Sequence, residues 1–273
     1  MKPRSQWHTR TNPISNYWLV LLLAVDLVWI GKSMEANRSQ VGVVEGAMVV
    51  LLTLVTLTSA ARQLPLQNVI PAGATIAGMA LAALLLAPLG FPLGPVSYPE
   101  VMGPRLLGIV PWTVPLLFLI KILNSRGVAR LIVYGGKPPF GRGWRVLLLA
   151  IGLSLVQDGM LQTFATGPGA AWTWPADEGG ARWLAAPWSH YFAEAVFTGL
   201  SLVAITPWLI NKHPGPPRPP SHYPLGVWLS VTFSLAFVSG AHGAMRGQLL
   251  GVLASVAVTL LAVRPPPPRP AAR

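Results

Sequence analysis

The chain has no cysteine among its 273 residues. That excludes disulfides, a thiolate nucleophile and any Cys-ligated zinc or iron–sulfur centre, and it leaves the compartment open. Charge is scarce as well. Only 10% of residues are Asp, Glu, Lys or Arg, against about 25% in a soluble domain. Acid is scarcest, with 8 carboxylates facing 20 lysines and arginines. No phosphate-binding glycine loop, no histidine cluster with metal-ligand spacing and no Ser/His/Asp arrangement is visible, and the five histidines are scattered. The expectation is therefore no metal and no cofactor. The formal charge of +12 has no basic stripe on a soluble domain to go with it, which argues against a nucleic-acid partner.

What is present is hydrocarbon. The chain is 52% hydrophobic, with a mean hydropathy of +0.53. Apolar runs cover residues 16–32, 42–61, 69–89, 105–124, 144–165, 188–211, 224–241 and 247–263, close to the ~20 residues a spanning helix needs. The expected fold is all-α: a polytopic transmembrane helical bundle of about eight spans. It would be one domain, 16–263, between a basic N-terminus, 1–15, and a Pro/Arg-rich tail, 264–273. The basic N-terminus leads into the first run without a small-residue cleavage site, so a retained first helix is expected. With the N-terminus inside, fourteen lysines and arginines fall in inner segments and five in outer ones. The positive-inside rule then puts both termini in the cytoplasm. Lys121, within the fourth run, is expected to snorkel inward. The net positive charge reads as loops facing an anionic membrane leaflet; the expected location is a bacterial inner membrane, cytoplasmic or intracytoplasmic. The Pro/Gly-rich stretches "GGKPPFGRG" and "KHPGPPRPPSHYP" read as connectors. No inverted repeat of the transporter kind is evident.

An ionisable group inside a bilayer is costly and points to function by default. Asp26, Asp158 and Glu194 qualify, with Glu45 marginal at the end of its run. Asp158 lies 14 residues after Trp144 and Glu194 six after Trp188. At ~1.5 Å per residue these are depths of about 21 Å and 9 Å from opposite faces, so the two share the outer half. Asp158 and Gln162 stand four apart, as do His190 and Glu194, and such pairs meet on one helix face. A shared polar pocket is the functional reading; carboxylates stapling helices together is the structural one, and it suffices for Asp26. An interfacial aromatic belt explains most of the eleven tryptophans. Trp172 and Trp174, in "AWTW", are dense enough to roof a pocket beneath them.

The stretch 91–120, with Pro92-Leu93-Gly94, Tyr98, Gly103, Pro104, Leu106, Gly108 and Pro111, resembles a recurring block of membrane-bound carotenoid hydratases, of the CruF and bisanhydrobacterioruberin hydratase types. Asp158, Trp172, Trp174, Pro187 and Ser189 resemble a second block, so the likeness covers residues 85–210. Gln162-Thr163 stands where that family has Asp-Pro, and His190-Tyr191 where it has Asn-Phe. No carboxylate occupies the third run, where the family pattern has one.

The resemblance implies addition of water to a terminal isoprenoid double bond. Asp158 would be the acid, with burial favouring its protonated form, and Glu194 with His190 would handle the water. Trp172 or Trp174 would face the cation, and Tyr98, Gln162 and Tyr191 are further substrate-binding candidates. The implied partners are a carotenoid or other long isoprenoid lipid and membrane lipids. The departures support an alternative, a degenerate member serving as a non-catalytic carotenoid-binding or assembly subunit of a photosynthetic membrane complex, a pigment–protein assembly. A transporter is a third, weaker class.

Overall fold

A computed structural model describes residues 14–34, 41–134, 141–175, 181–210 and 220–263. The expected N-terminal segment, all but its last two residues, and the expected tail 264–273 lie outside the described residues. Among the described residues eight helices follow one another: α1 (Ile14–Met34), α2 (Val41–Ala61), α3 (Leu66–Leu85), α4 (Val114–Tyr134), α5 (Arg142–Thr166), α6 (Trp188–Leu209), α7 (Tyr223–Ala241) and α8 (Met245–Ala262). Two-residue strands form two hairpins, β1 (Arg105–Leu106) with β2 (Val110–Pro111), and β3 (Arg182–Trp183) with β4 (Ala186–Pro187).

Among the described residues, α3, α5, α6, α7 and α8 are long and apolar enough to cross a membrane. Their outward faces carry large apolar side chains, such as Phe192, Leu200, Leu249 and Leu260, each more than half exposed. A water-soluble chain does not leave such faces bare, so they are lipid-facing surface. The protein is a membrane-embedded helical bundle.

The interior is held by small residues and polar ties, as expected where lipid removes the hydrophobic drive between helices. Gly247 and Gly251 of α8 let it approach closely. A Cβ on Gly251 would stand 2.9 Å from the Met160 Sδ of α5 and would collide with Ala236 of α7. Asn124 of α4 donates to the Thr56 hydroxyl of α2 at 2.8 Å, and Ser154 of α5 meets Thr198 of α6 at 3.3 Å.

The fourth helix departs from the expected 105–124. Residues 105–111 turn into the β1–β2 hairpin, with Leu107 and Gly108 at φ 51° and 73°. The helix therefore starts only at Val114 and continues through Arg126 and Arg130 to Tyr134. Apolarity alone does not distinguish a hairpin from the first turns of a helix.

A second feature of the sequence emerges only in three dimensions. Ser97-Tyr98-Pro99 precedes the first hairpin and Thr173-Trp174-Pro175 the second. Ser97 and Thr173 pair antiparallel, exchanging hydrogen bonds of 3.1 and 2.9 Å. Arg105 donates to the Tyr98 carbonyl and Arg182 to the Pro175 carbonyl, each seven residues back. Both hairpins place two residues at positive φ, Leu184 and Ala185 matching Leu107 and Gly108. Both close on Pro-Trp followed by a hydroxyl residue, Pro111-Trp112-Thr113 and Pro187-Trp188-Ser189. Helices α3–α4 and α5–α6 are thus two like hairpins arranged about their paired loops, α4 against α5 and α3 against α6. This is a parallel repeat, not the inverted kind sought in the sequence.

Candidate functional site

The late start of α4 sets the depth of Lys121. It lies seven residues below Val114, while Asp158 lies eight before the end of α5 and Glu194 six into α6. At ~1.5 Å per residue the three reach about 10, 12 and 9 Å from the hairpin-bearing end of the bundle. Lys121 does not snorkel. Its ammonium lies 2.8 Å from Asp158 Oδ1 and 2.6 Å from Glu194 Oε1, and all three side chains are almost wholly buried, with 6%, 3% and 0% exposure. A cation enclosed by hydrocarbon requires such compensation, because its separation from water is otherwise prohibitive.

His190 completes the cluster. Its Nε2 lies 2.8 Å from Asp158 Oδ2 and its Nδ1 2.9 Å from the Leu93 carbonyl. Gln162 joins the other side: its Oε1 accepts from the Trp172 indole at 2.9 Å and the Trp174 indole at 3.1 Å. Its Nε2 stands 3.0 Å from His190 Nε2.

These contacts restrict where the protons sit. A carbonyl only accepts, so Nδ1 of His190 carries a hydrogen toward Leu93. An indole only donates, so Gln162 must turn its oxygen to the two tryptophans and its amino group to His190. A neutral imidazole has one lone pair on Nε2, and the Gln162 amino group and Asp158 both face it, at 3.0 and 2.8 Å. In that neutral state the 2.8 Å contact to Asp158 is a hydrogen bond only when Asp158 is the donor, a carboxylic acid that shares the lone pair with the Gln162 amino group. The other tautomer is an imidazolium donating to an Asp158 carboxylate, which Lys121 favours. Both carry the same net charge, with Lys121 and Glu194 ionised in each. One proton can therefore shift across the contact without changing the charge of the buried site.

A cavity of about 30 Å³ opens on this group, bordered by Tyr98, Lys121, Asp158, Gln162, Trp172, Trp174 and His190 with apolar neighbours. That is room for one water with several polar partners. Tyr98 lies in the connection outside the helices, where burial raises its phenol above the ordinary value and keeps it a neutral hydroxyl. A second, apolar cavity of about 100 Å³ adjoins the first across Leu117, Leu161 and Trp172, with Trp29, Glu45 and Phe164 among its walls. Gly94, at φ 92°, is the floor beneath Trp174: a Cβ there would lie 2.9 Å from the indole ring.

Asp158, His190, Gln162, Trp172, Trp174 and Tyr98 therefore share one cavity wall. Glu194 does not line it; it stands behind Lys121, with Thr198 donating to its Oε1 at 3.0 Å and its Oε2 without a partner. Tyr191 is also outside, its hydroxyl donating to the Trp183 carbonyl at 2.8 Å while its ring packs edge-on against His190. The expected contacts along single helices, Asp158 with Gln162 and His190 with Glu194, give way to hydrogen bonds between helices, because the shorter partners lie across the interface. Lys121 is the member that sequence reasoning missed. Asp26 is buried with Oδ1 unpaired, apart from this group.

Asp158, His190 and Glu194 each offer an atom within 4.8 Å of the others, the spacing of a metal-ligand set. The Lys121 ammonium stands between the two carboxylates, where a metal ion would have to sit, and its charge would repel one.

The model of a family described as carotenoid biosynthesis protein matches residues 45–262. No curated protein and no solved structure matches the chain.

Proposed function

Because the chain belongs to the carotenoid biosynthesis protein family, we propose that it hydrates a terminal isoprenoid double bond of a carotenoid in a bacterial inner membrane, cytoplasmic or intracytoplasmic, with both termini cytoplasmic. The observation that carries this reading is the Asp158–His190 contact at 2.8 Å on a one-water cavity.

Hydration of an alkene needs a strong enough acid and a water, and no redox partner. The proton held between Asp158 and His190 adds to the less substituted alkene carbon; a C–H bond forms as the π bond breaks, leaving a tertiary cation. Loss of the proton makes the Lys121–Asp158–Glu194–His190 group net negative, and that charge stabilises the cation formed beside it in a low-dielectric setting. The face of Trp172, shared by both cavities, adds cation–π stabilisation. Water in the small cavity forms the C–O bond, and the oxonium returns its proton to the Asp158–His190 pair. The sum is alkene plus water to tertiary alcohol. The apolar cavity takes the end group.

Gln162 and Lys121 are positioning residues in this scheme, fixing the tautomer and the carboxylate. Glu194 acts through Lys121 instead of meeting the water. The test is expression in a host that makes an acyclic carotenoid: hydroxylated pigment is expected, and unchanged pigment from folded, membrane-inserted protein would refute hydratase activity.

One observation favours a second reading. Every charge in the cluster is compensated within it, which also suits a non-catalytic, carotenoid-binding or assembly subunit of a pigment–protein complex. Co-purification with a pigmented complex without turnover would select that reading.

A further inference from the structure

At the opposite end of the bundle lies a cavity of about 360 Å³ bordered by Arg126 and Arg130 of α4 and Arg142 of α5, all half-buried. Its remaining wall is largely apolar, including Val146, Leu147 and Leu202. The guanidiniums find only neutral acceptors: Arg126 donates to the Leu209 carbonyl at 3.4 Å and Arg130 to Gln63 Oε1 at 3.2 Å. Among the described residues no carboxylate forms an ion pair with any of the three.

The sequence rules out one elsewhere in the neighbouring segments. The chain's eight acids are Asp26, Glu35, Glu45, Glu100, Asp158, Asp177, Glu178 and Glu194. None lies in 1–25, 46–99, 101–157 or 195–273, which include every segment that borders the cavity. Three half-buried cations around one cavity need a counter-charge, and no side chain of these stretches can supply it.

We propose that this cavity binds a phosphate group, with Arg126, Arg130 and Arg142 as its ligands. Guanidinium forks match phosphate oxygens in pairs, and the apolar wall suits a phosphate that carries acyl chains. A basic pocket between helices at a membrane face is the setting in which anionic headgroups are held. A free phosphate presents the same chemistry. The inference does not depend on the reaction at Asp158.

The test uses the purified full chain in nanodiscs of phosphatidylcholine with and without phosphatidylglycerol, followed by native mass spectrometry of retained lipid. Saturable retention of phosphatidylglycerol is expected. Arg126→Gln with Arg130→Gln should weaken it about thirtyfold, at about fivefold per arginine. Arg145→Gln removes the same charge from an exposed site one turn from Arg142 and should leave it unchanged. Leu147→Trp fills the cavity while keeping every arginine, and it should abolish retention; it decides the matter if the double variant fails to fold. Displacement by inorganic phosphate would identify a free-phosphate site, and resistance to it a lipid site. Equal weakening by Arg145→Gln, or full retention in Leu147→Trp, would overturn the proposal.

Discussion

Replacing Lys121 by methionine isolates the electrostatics of the cluster. Methionine keeps the length and most of the volume of the side chain, so the loss is mainly charge. It leaves Asp158 and Glu194 buried, at 2% and 0% exposure, with their shared counter-ion gone. Glu194 retains only the Thr198 hydroxyl on Oε1, and its Oε2 has no partner to begin with. Breaking a buried pair costs about 3–5 kcal/mol because the remaining charge is uncompensated. At about 2–4 °C per kcal/mol for a chain of this size, the melting point should fall by roughly 10 °C, read by size-exclusion chromatography of detergent-solubilised protein after heating. Glu194→Gln added to Lys121→Met restores net neutrality and should recover part of the loss, giving a coupling of about 1–3 kcal/mol. A Lys121→Met protein as stable as the parent, or a double variant equal to the sum of the singles, would refute the charge balance described for the site.

Asp158→Asn should lower hydration by about a hundredfold or more, the contribution of a general acid, with the bound carotenoid retained in its absorption spectrum. Gln162→Leu leaves two buried indole N–H groups without acceptors, at about 1–3 kcal/mol each; the tryptophan fluorescence should shift and the melting point fall. Gly251→Val forces α8 away from Met160 and Ala236 and should destabilise the bundle by about 1–3 kcal/mol as overpacking does, measured by the same thermal assay.

Much of the fold was legible because hydrocarbon length is a strong signal. Seven of the eight helices lie close to their apolar runs. The fourth did not, since Arg105-Leu-Leu-Gly-Ile-Val-Pro reads as apolar whether it is coiled or folded back, and the two residues at positive φ leave little trace when only one of them is glycine. That displacement, nine residues at the start and ten at the end, concealed Lys121: at the end of a run a lysine snorkels, and seven residues into a helix it must find acids. Asp158 and Glu194 were visible as carboxylates in apolar runs. Their true partners were not, because spacing along one helix reports neighbours on that helix and says nothing of a shorter contact across an interface. The paired loops around Ser97 and Thr173 were hidden for a related reason, as the motif is spread over weakly specific residues and its two copies differ by insertions in the turn and before the arginine.

In the proposed reaction Asp158 and His190 deliver a proton to an alkene and water completes the addition. Purified protein supplied with an acyclic carotenoid in water labelled with heavy oxygen should yield a tertiary alcohol carrying that oxygen, and Asp158→Asn should yield about a hundredfold less or none. Unaltered carotenoid from folded, pigment-binding protein, or an alcohol formed equally well by Asp158→Asn, would contradict the account.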